Sequence, residues 1–387
     1  MRRSSVPYLD HNATTPVRPE VIEAMLPYFS EKSGNPASVH GAGRAARDGI
    51  DRSRRTLGEI LGVHNSQIIF TSGGTESNNL ALFGLAAKSG FKGRLVISGI
   101  EHPSVDSVAT ALEKHGMRIT RVKPDSHGVI DAGKIMAAVD AETVAVSVMQ
   151  ANNETGVIQP VEEIAHACQN RRCVFHSDAV QVFGKKSLDF YRDCGGLLSL
   201  SAHKLGGPKG VGALVLDKSL ALEPLLFGGG QERGRRSGTE NLTGIVGFGV
   251  AAKLAVDGLA LEQSRLSALR DSLADQVKQA IPQTVVFGEN ANKLANTLAM
   301  GWAGLDGETL VMNLDLAGYS VSSGSACSSG RTEPSRILKA MGVDTALGRS
   351  MIRVSLGLDS DALMVQQFAA QLIRTVRQLT SMSRIMG

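Results

Sequence analysis

Short apolar runs rich in Val, Ile and Leu punctuate the first two-thirds of the chain. Each is followed by a polar or glycine-bearing turn and then a stretch of helical periodicity. The run IIF (68–70) ends at TSGGTESNNLALFGLAAK, a strand feeding a glycine turn and a helix. RLVIS (94–98) precedes a loop and a helix over 105–114, and TVAVSVM (143–149) passes through ANNETG to a helix over 161–170. VFHS (174–177), LLSLS (197–201) and VGALVL (211–216) read as further strands. Runs that are apolar throughout, rather than alternating, mark strands buried on both faces, and helical crossovers between them predict an α/β domain with a mainly parallel sheet. Ligands of such sheets bind beyond the carboxyl ends of the strands, where the unusual polar residues of this chain lie.

Beyond 241 the pattern changes. An apolar, small-residue helix over 242–257 is expected to be buried, and an amphipathic helix over 259–281 carries the chain away. The segments TVVFG, LANTLAMGW, TLVMNLDLAGYSVSSGSAC and IRVSLG, with a closing helix, read as a smaller α+β domain, the boundary falling near 258. A length of 387 residues suits two such domains, and 42% hydrophobic with 20% charged residues suits a soluble globular chain. The net charge of +4 is too small to argue for nucleic acid. The basic run RAARDGIDRSRR (44–55) reads as a helix with a solvated face or as a dock for an acidic partner. Four cysteines without CxxC spacing make neither a disulfide framework nor a zinc site, so no metal is expected and reduced thiols suggest a cytoplasmic location. The N-terminus lacks the apolar core of a secretory signal, and no run of about 18 apolar residues predicts a membrane span.

Candidate chemistry gathers at the strand ends. Lys204 closes Ser201-Ala202-His203-Lys204 just before LGGPKG, and Asp178 lies 26 residues upstream in Phe175-His176-Ser177-Asp178-Ala179. A pyridoxal phosphate (PLP) site needs both: an amine to hold the cofactor and a carboxylate to keep its pyridine nitrogen protonated. Gly74 and Thr75, in Ser72-Gly73-Gly74-Thr75-Glu76, sit where a strand turns into a helix and make a phosphate cradle or a plain helix start. Ser201 and His203 could close on the same phosphate. A third candidate is GGGQERGRRSGTEN (228–241), with three arginines and Thr239, or else a flexible loop. His102 at a strand end could stack on a flat ring and move protons, or serve only as a hydrogen-bonded loop residue. Asn153 and Gln181 carry amides suited to a substrate carboxylate or a cofactor oxygen. Cys327, in SSGSACSSG, is a thiol among small polar residues, where cysteine is unusual, and points to thiolate chemistry or else is an incidental surface cysteine. Cys168, Cys173 and Cys194 lie on or beside apolar elements and read as inert. Arg353, opening IRVSLG, suits a two-pronged carboxylate clamp or an ion pair.

The chain resembles the cysteine desulfurases of the NifS/IscS type, in the class V aminotransferase group of fold type I PLP enzymes. The likeness runs from YLDHNATTP (8–16) through GNPASVH, TSGGTESNNLA, EHPSV, NNETG, HSDAVQ, SAHKLGGPKG, GGGQERGRRSGTEN and SSGSAC to EPS (333–335). It implies a large seven-stranded-type domain over 14–258, and a small domain from 1–13 plus 259–387 that carries a cysteine loop near 321–334. It implies that Lys204 binds the cofactor and shuttles protons, Asp178 pairs with the pyridine nitrogen, His102 stacks on the ring and Gln181 bonds its phenolic oxygen. Gly74, Thr75, Ser201 and His203 would hold the phosphate, Thr239 would reach the site of a second subunit in a homodimer, and Asn153 and Arg353 would bind the carboxylate of L-cysteine. Cys327 would take the sulfur as a persulfide, leaving L-alanine, for an iron–sulfur scaffold or another sulfur-acceptor protein. A selenocysteine lyase or another β-eliminating PLP enzyme would share Lys204 and Asp178 without needing Cys327. An aminotransferase and a non-catalytic sulfur-assembly subunit are the remaining alternatives.

Overall fold

The computed structural model describes residues 6–324 and 335–386, with side chains to Met382. Seven strands, β1 (Ile68–Thr71), β2 (Arg94–Ser98), β3 (Arg118–Val122), β4 (Thr143–Ser147), β5 (Val174–Asp178), β6 (Leu197–Ser201) and β7 (Gly212–Leu216), form one sheet in the order β1-β7-β6-β5-β4-β2-β3. Strands β3, β2, β4, β5 and β6 run parallel; β7 is antiparallel to both β6 and β1. Successive side chains of a strand serve opposite faces. Ile69 packs with Leu80, Leu85, Val105 and Leu112 of two covering helices, Gly74–Lys88 and Pro103–Lys114. Ile68 and Phe70 pack instead with Ile50, Leu57, Ile164 and Phe248 of the helices on the other face. The α/β reading therefore stands, with the sheet mostly parallel.

Two elements differ from the sequence pattern. RITRV forms β3, an edge strand, although it is no apolar run. Its exposed Arg118 and Arg121 face the acids Glu142, Asp106 and Glu113, and charge along an edge discourages pairing with another chain. The basic run 44–55 lies in the helix Gly41–Leu61, but it is not wholly solvated. Arg54 is only 7% exposed. Its Nη1 donates to Ile68 O at 2.6 Å and Glu232 Oε2 at 2.8 Å, its Nη2 to Glu232 Oε1 at 2.6 Å, and its guanidinium lies 4.7 Å from the Phe70 ring centre. Against this helix packs the apolar helix Leu242–Asp257, close enough that a Cβ on Gly249 would stand 2.8 Å from Ser53 Cβ.

At Gly258 the chain bends by 70° into the helix Leu259–Ala280 and enters a second, smaller unit. Its strands β8 (Val285–Val286), β9 (Thr297–Gly301), β10 (Ser322–Ser323) and β11 (Ile352–Ser355) form an antiparallel sheet in the order β10-β11-β9-β8. TVVFG contributes only the two residues of β8. The long segment after residue 308 divides between the helix Gly307–Leu316 and β10. A separate core of Leu273, Val277, Trp302, Leu310, Phe368 and Leu372 lies under this sheet, and Leu9 from the N-terminal segment joins it. That segment is stitched on by parallel bridges from Tyr8 to Ser320 and from Asp10 to Ser355. No single helix among the described residues is long and apolar enough to cross a membrane.

Candidate active site

The carboxyl ends of β2, β4, β5 and β6, the start of the helix Gly74–Lys88, the N-terminal segment and β11 enclose a cavity of ≈ 400 Å³. Asp178, the last residue of β5, is buried at its floor. Its Oδ2 accepts from Asn78 Nδ2 at 2.7 Å and its Oδ1 from the Val180 N–H at 3.0 Å. Two neutral donors thus fix the carboxylate without a cation to cancel its charge. Asn78 lies one turn into the helix that begins at Gly74, so the strand–turn–helix that shapes one wall also anchors the acid.

Lys204 stands in a single turn after β6, and its Nζ donates to Asn12 O at 2.5 Å and Ala13 O at 2.7 Å. Burial, followed by the charge of Arg353, pushes its pKa down to about 8, so a free amine is far more accessible than on an ordinary lysine. His203 beside it contacts Thr14 Oγ1 at 3.1 Å, and burial with the nearby lysines pushes it down to about 4. It is neutral at physiological pH. His102 caps the helix Pro103–Lys114: its Nδ1 accepts from the Ser104 N–H at 3.1 Å, which puts the proton of the neutral ring on Nε2. Burial lowers its pKa too, which keeps the ring neutral.

Gln181 Nε2 donates to Asn12 O at 2.9 Å. Residues 180–185 form turns, and the Phe183 N–H donates to Ala179 O at 2.9 Å, the bond of a single helical turn. The Asn153 carbonyl accepts from Arg353 Nη1 at 3.0 Å, while its side chain lines the cavity. Arg353 on β11 is 7% exposed and pairs through Nη2 with Asp10 at 2.6 Å, leaving its Nε buried and unpartnered. Gly74, Thr75 and Ser201 also line the cavity. Thr239 does not: it is exposed on the loop after Gly234, beside Arg236, which pairs with Glu76 at 2.8 Å. Cys327 lies outside the described residues. Ser322, Ser323 and Gly324, the residues leading towards them, line the cavity.

The family model of class-V aminotransferases matches residues 7–368. The chain belongs to that family. Among its relatives, it is 43% identical over 352 residues to a cysteine desulfurase IscS of Dictyoglomus turgidum, covering 91% of this chain and 89% of the relative. It is 41% identical over 382 residues to cysteine desulfurase 2 of Trichormus variabilis, covering 98% and 96%. Among solved structures, a NifS-like protein superposes with a TM-score of 0.89 at 36% identity over 96% of this chain and all of that one. A second, SspA in complex with cysteine, superposes at 0.78 with 34% identity over 90% and 98%.

Class-V aminotransferases use PLP, and the cavity fits it. The helix Gly74–Lys88 begins at Gly73, in a left-handed conformation (φ 153°) and without a side-chain cap, which leaves its first N–H groups open to an anion. Gly74 leaves no room for more: a Cβ there would stand 2.5 Å from Val180 Cγ2. Across the cavity lie a fixed carboxylate and a half-buried lysine amine. Asn78 Oδ1 is buried and unpartnered, as is Arg353 Nε. When bound, PLP supplies an electron sink that labilises bonds at the substrate Cα and Cβ.

The sequence pattern missed several residues of the site. Asn12 occurs only inside the motif YLDHNATTP, yet its carbonyl takes both Lys204 and Gln181, and its Nδ2 donates to Thr297 Oγ1 at 2.9 Å. Asn78 carried a usable signal, four residues after Gly74 and so on the same helical face. Glu154 lines the cavity and is bonded by Ser335 Oγ; burial pushes it up to about 7.

Proposed function

We propose that the chain is a PLP-dependent cysteine desulfurase converting L-cysteine to L-alanine. Cys327 takes up the sulfur. The observation that carries this reading is the convergence of Lys204, Asp178 and Arg353 on one cavity, whose wall includes the residues three to five positions before Cys327. Arg353, with an N–H to spare, binds the substrate carboxylate beside the Asn153 amide. Lys204, which sheds its proton near 8 and not near the 10.5 of an ordinary lysine, takes the proton from the substrate Cα and returns one to the product. His102 presents Nε2–H to the cavity, and Asp178 holds a proton on the cofactor's ring nitrogen. Neutral His203, with Ser201, Gly74 and Thr75, holds the phosphate without adding charge.

In the sulfur-transfer step the Cys327 thiolate attacks the substrate sulfur. An S–S bond forms as the Cβ–S bond breaks, and the electrons of the broken bond remain with carbon. The thiol proton and substrate carbon end as the methyl group of alanine, and the enzyme holds a persulfide anion. No external oxidant or reductant is consumed. Delivery of that sulfur requires an acceptor protein, and iron–sulfur assembly is consistent with the IscS-named relatives. The exposed Thr239 loop suits a homodimer in which each chain completes its partner's phosphate site, and a cytoplasmic location fits an enzyme that works through a reduced thiol.

The test uses purified protein loaded with PLP. It should show a visible absorption band and release alanine, and sulfide in the presence of a reductant, from L-cysteine. Cys327→Ala should keep the band and lose desulfuration. Retained desulfuration in that variant would instead identify a lyase that needs no cysteine.

A further inference from the structure

A second lysine stands behind the cavity wall and has no part in the steps above. Lys185 follows the turns after β5, and its Nζ lies 3.2 Å from Gln181 Oε1 and 3.3 Å from Asn12 Oδ1. Its carbonyl accepts from Gln263 Nε2 of the helix Leu259–Ala280 at 2.7 Å, which fixes its backbone to the smaller unit. With Lys204 it also lines an apolar cavity of ≈ 180 Å³ on the far side of the N-terminal segment.

An ammonium has only donors to offer. The atom of Gln181 turned towards Lys185 is therefore the oxygen, and the NH₂ end is turned to Asn12 O and the main cavity. Asn12 is held by the same amine, and its carbonyl in turn receives Lys204. We propose that Lys185 is a positioning residue: it fixes the Gln181 amide with its donor end towards the cofactor site and, through Asn12, keeps Lys204 in the same frame. This rests on the reading that the cavity takes PLP.

The charged groups around Lys185 are Lys204 after β6, Arg353 on β11 (itself paired with Asp10), His11 and Arg18 of the N-terminal segment, and Glu262 of the Leu259–Ala280 helix, which pairs with Arg265. Among the described residues, no carboxylate forms an ion pair with Lys185. Burial, then the charges of Lys204 and Arg353, push it down to about 7.

The test reads the pH midpoint of the visible absorption band, which reports the proton on the nitrogen joining Lys204 to PLP. Losing an oriented donor on the cofactor's phenolic oxygen would tighten the hold on that proton, and Lys185 adds its own charge only below about pH 7. In Lys185→Met the midpoint should rise by about one pH unit, and Lys185→Arg should bring most of it back. Reagent labelling of the Lys204 amine in cofactor-free protein should stay centred near 8, because Lys185 has already lost its charge there. Should Lys185→Met not fold, by thermal melting, Lys185→Gln carries the same expectation, because its amide cannot impose one orientation on Gln181. A folded variant with the band midpoint unmoved would overturn the proposal. So would loss of the band in Lys185→Arg as well as in the neutral variants, whereas loss in the neutral variants alone supports it. A wild-type protein that shows no band with PLP would overturn the cofactor reading itself.

Discussion

Arg54 and Arg353 are both buried arginines, both 7% exposed and both paired with a carboxylate at 2.6 Å, yet they do different work. Arg54 is closed. Glu232 takes it from two sides, Ile68 O takes a further donor, the Phe70 ring lies beside the guanidinium, and Glu232 also accepts the Phe70 N–H at 3.0 Å. Arg353 is open: Asp10 and the Asn153 carbonyl each take one arm, the buried Nε is left without a partner, and the residue lines a polar cavity. A cation with a full set of partners can only hold structure together. One that is incompletely used on the wall of a cavity retains the capacity to bind an anion from outside.

The largest effect expected from this contrast is on turnover. Arg353→Leu should lower kcat/KM for L-cysteine by about 100-fold or more, mostly through KM, because a carboxylate loses its charged partner in a largely desolvated site. Steady-state kinetics check this. An unchanged KM would place the substrate carboxylate elsewhere. Arg54→Leu should act on stability instead, costing about 3–5 kcal/mol by leaving Glu232 buried without its cation. Chemical denaturation reads that loss, and replacing Glu232 by Met in the same chain should recover much of it. If Arg54→Leu melts like the wild type, the closed arginine has no structural role.

The smallest effect separates the two by charge alone. In cofactor-free protein the Lys204 amine should react with a small amine-directed reagent along a curve centred near 8, not near the 10.5 of an ordinary lysine. The sign follows from the cause. Burial and Arg353 disfavour the charged amine, so the proton leaves at lower pH than in the unfolded chain. The native state binds fewer protons between these two values, and this lysine's unfavourable contribution to stability fades as pH rises through that window. Arg353→Leu should move the labelling midpoint upward, and Arg54→Leu should leave it in place.

Much of this was legible in the sequence because the signals were local. The runs that became β2, β5 and β6 are apolar throughout, and Asp178, Ser201 and Lys204 follow directly from where those runs stop. The motif at 72–76 gave the glycine turn. What escaped was decided by partners far along the chain. Arg54 sits in a helix that by composition belongs in water, and nothing near it reveals Glu232, 178 residues away. Lys185 reads as the first of two ordinary lysines in GKKS until Asn12 and Gln181 are folded against it. Strand β3 escaped for another reason: an edge strand need be apolar on only part of its surface, and RITRV has two arginines in five residues. Gln181 lies on the cavity wall through a run of turns, which spacing alone cannot tell from a helix.

The stitching of the N-terminal segment onto β11 bears on the order in which the site is made. On the ribosome, residues 8–15 emerge first, but Asp10 and Asn12 find Arg353 and Ser355 only after more than 340 further residues have been added. Contacts so far apart in sequence form late, because a long loop must be closed before they contribute anything. The seven-stranded sheet can collapse while the chain is still growing, with Asp178 and Lys204 already near one another, but the Arg353–Asp10 pair and the contacts of Asn12 with Ser355 wait for β11. A nascent chain stalled before β11 is thus a folded sheet with an unfinished cavity, and the N-terminal segment that receives the Lys204 amine is fixed in place only once β11 has been made.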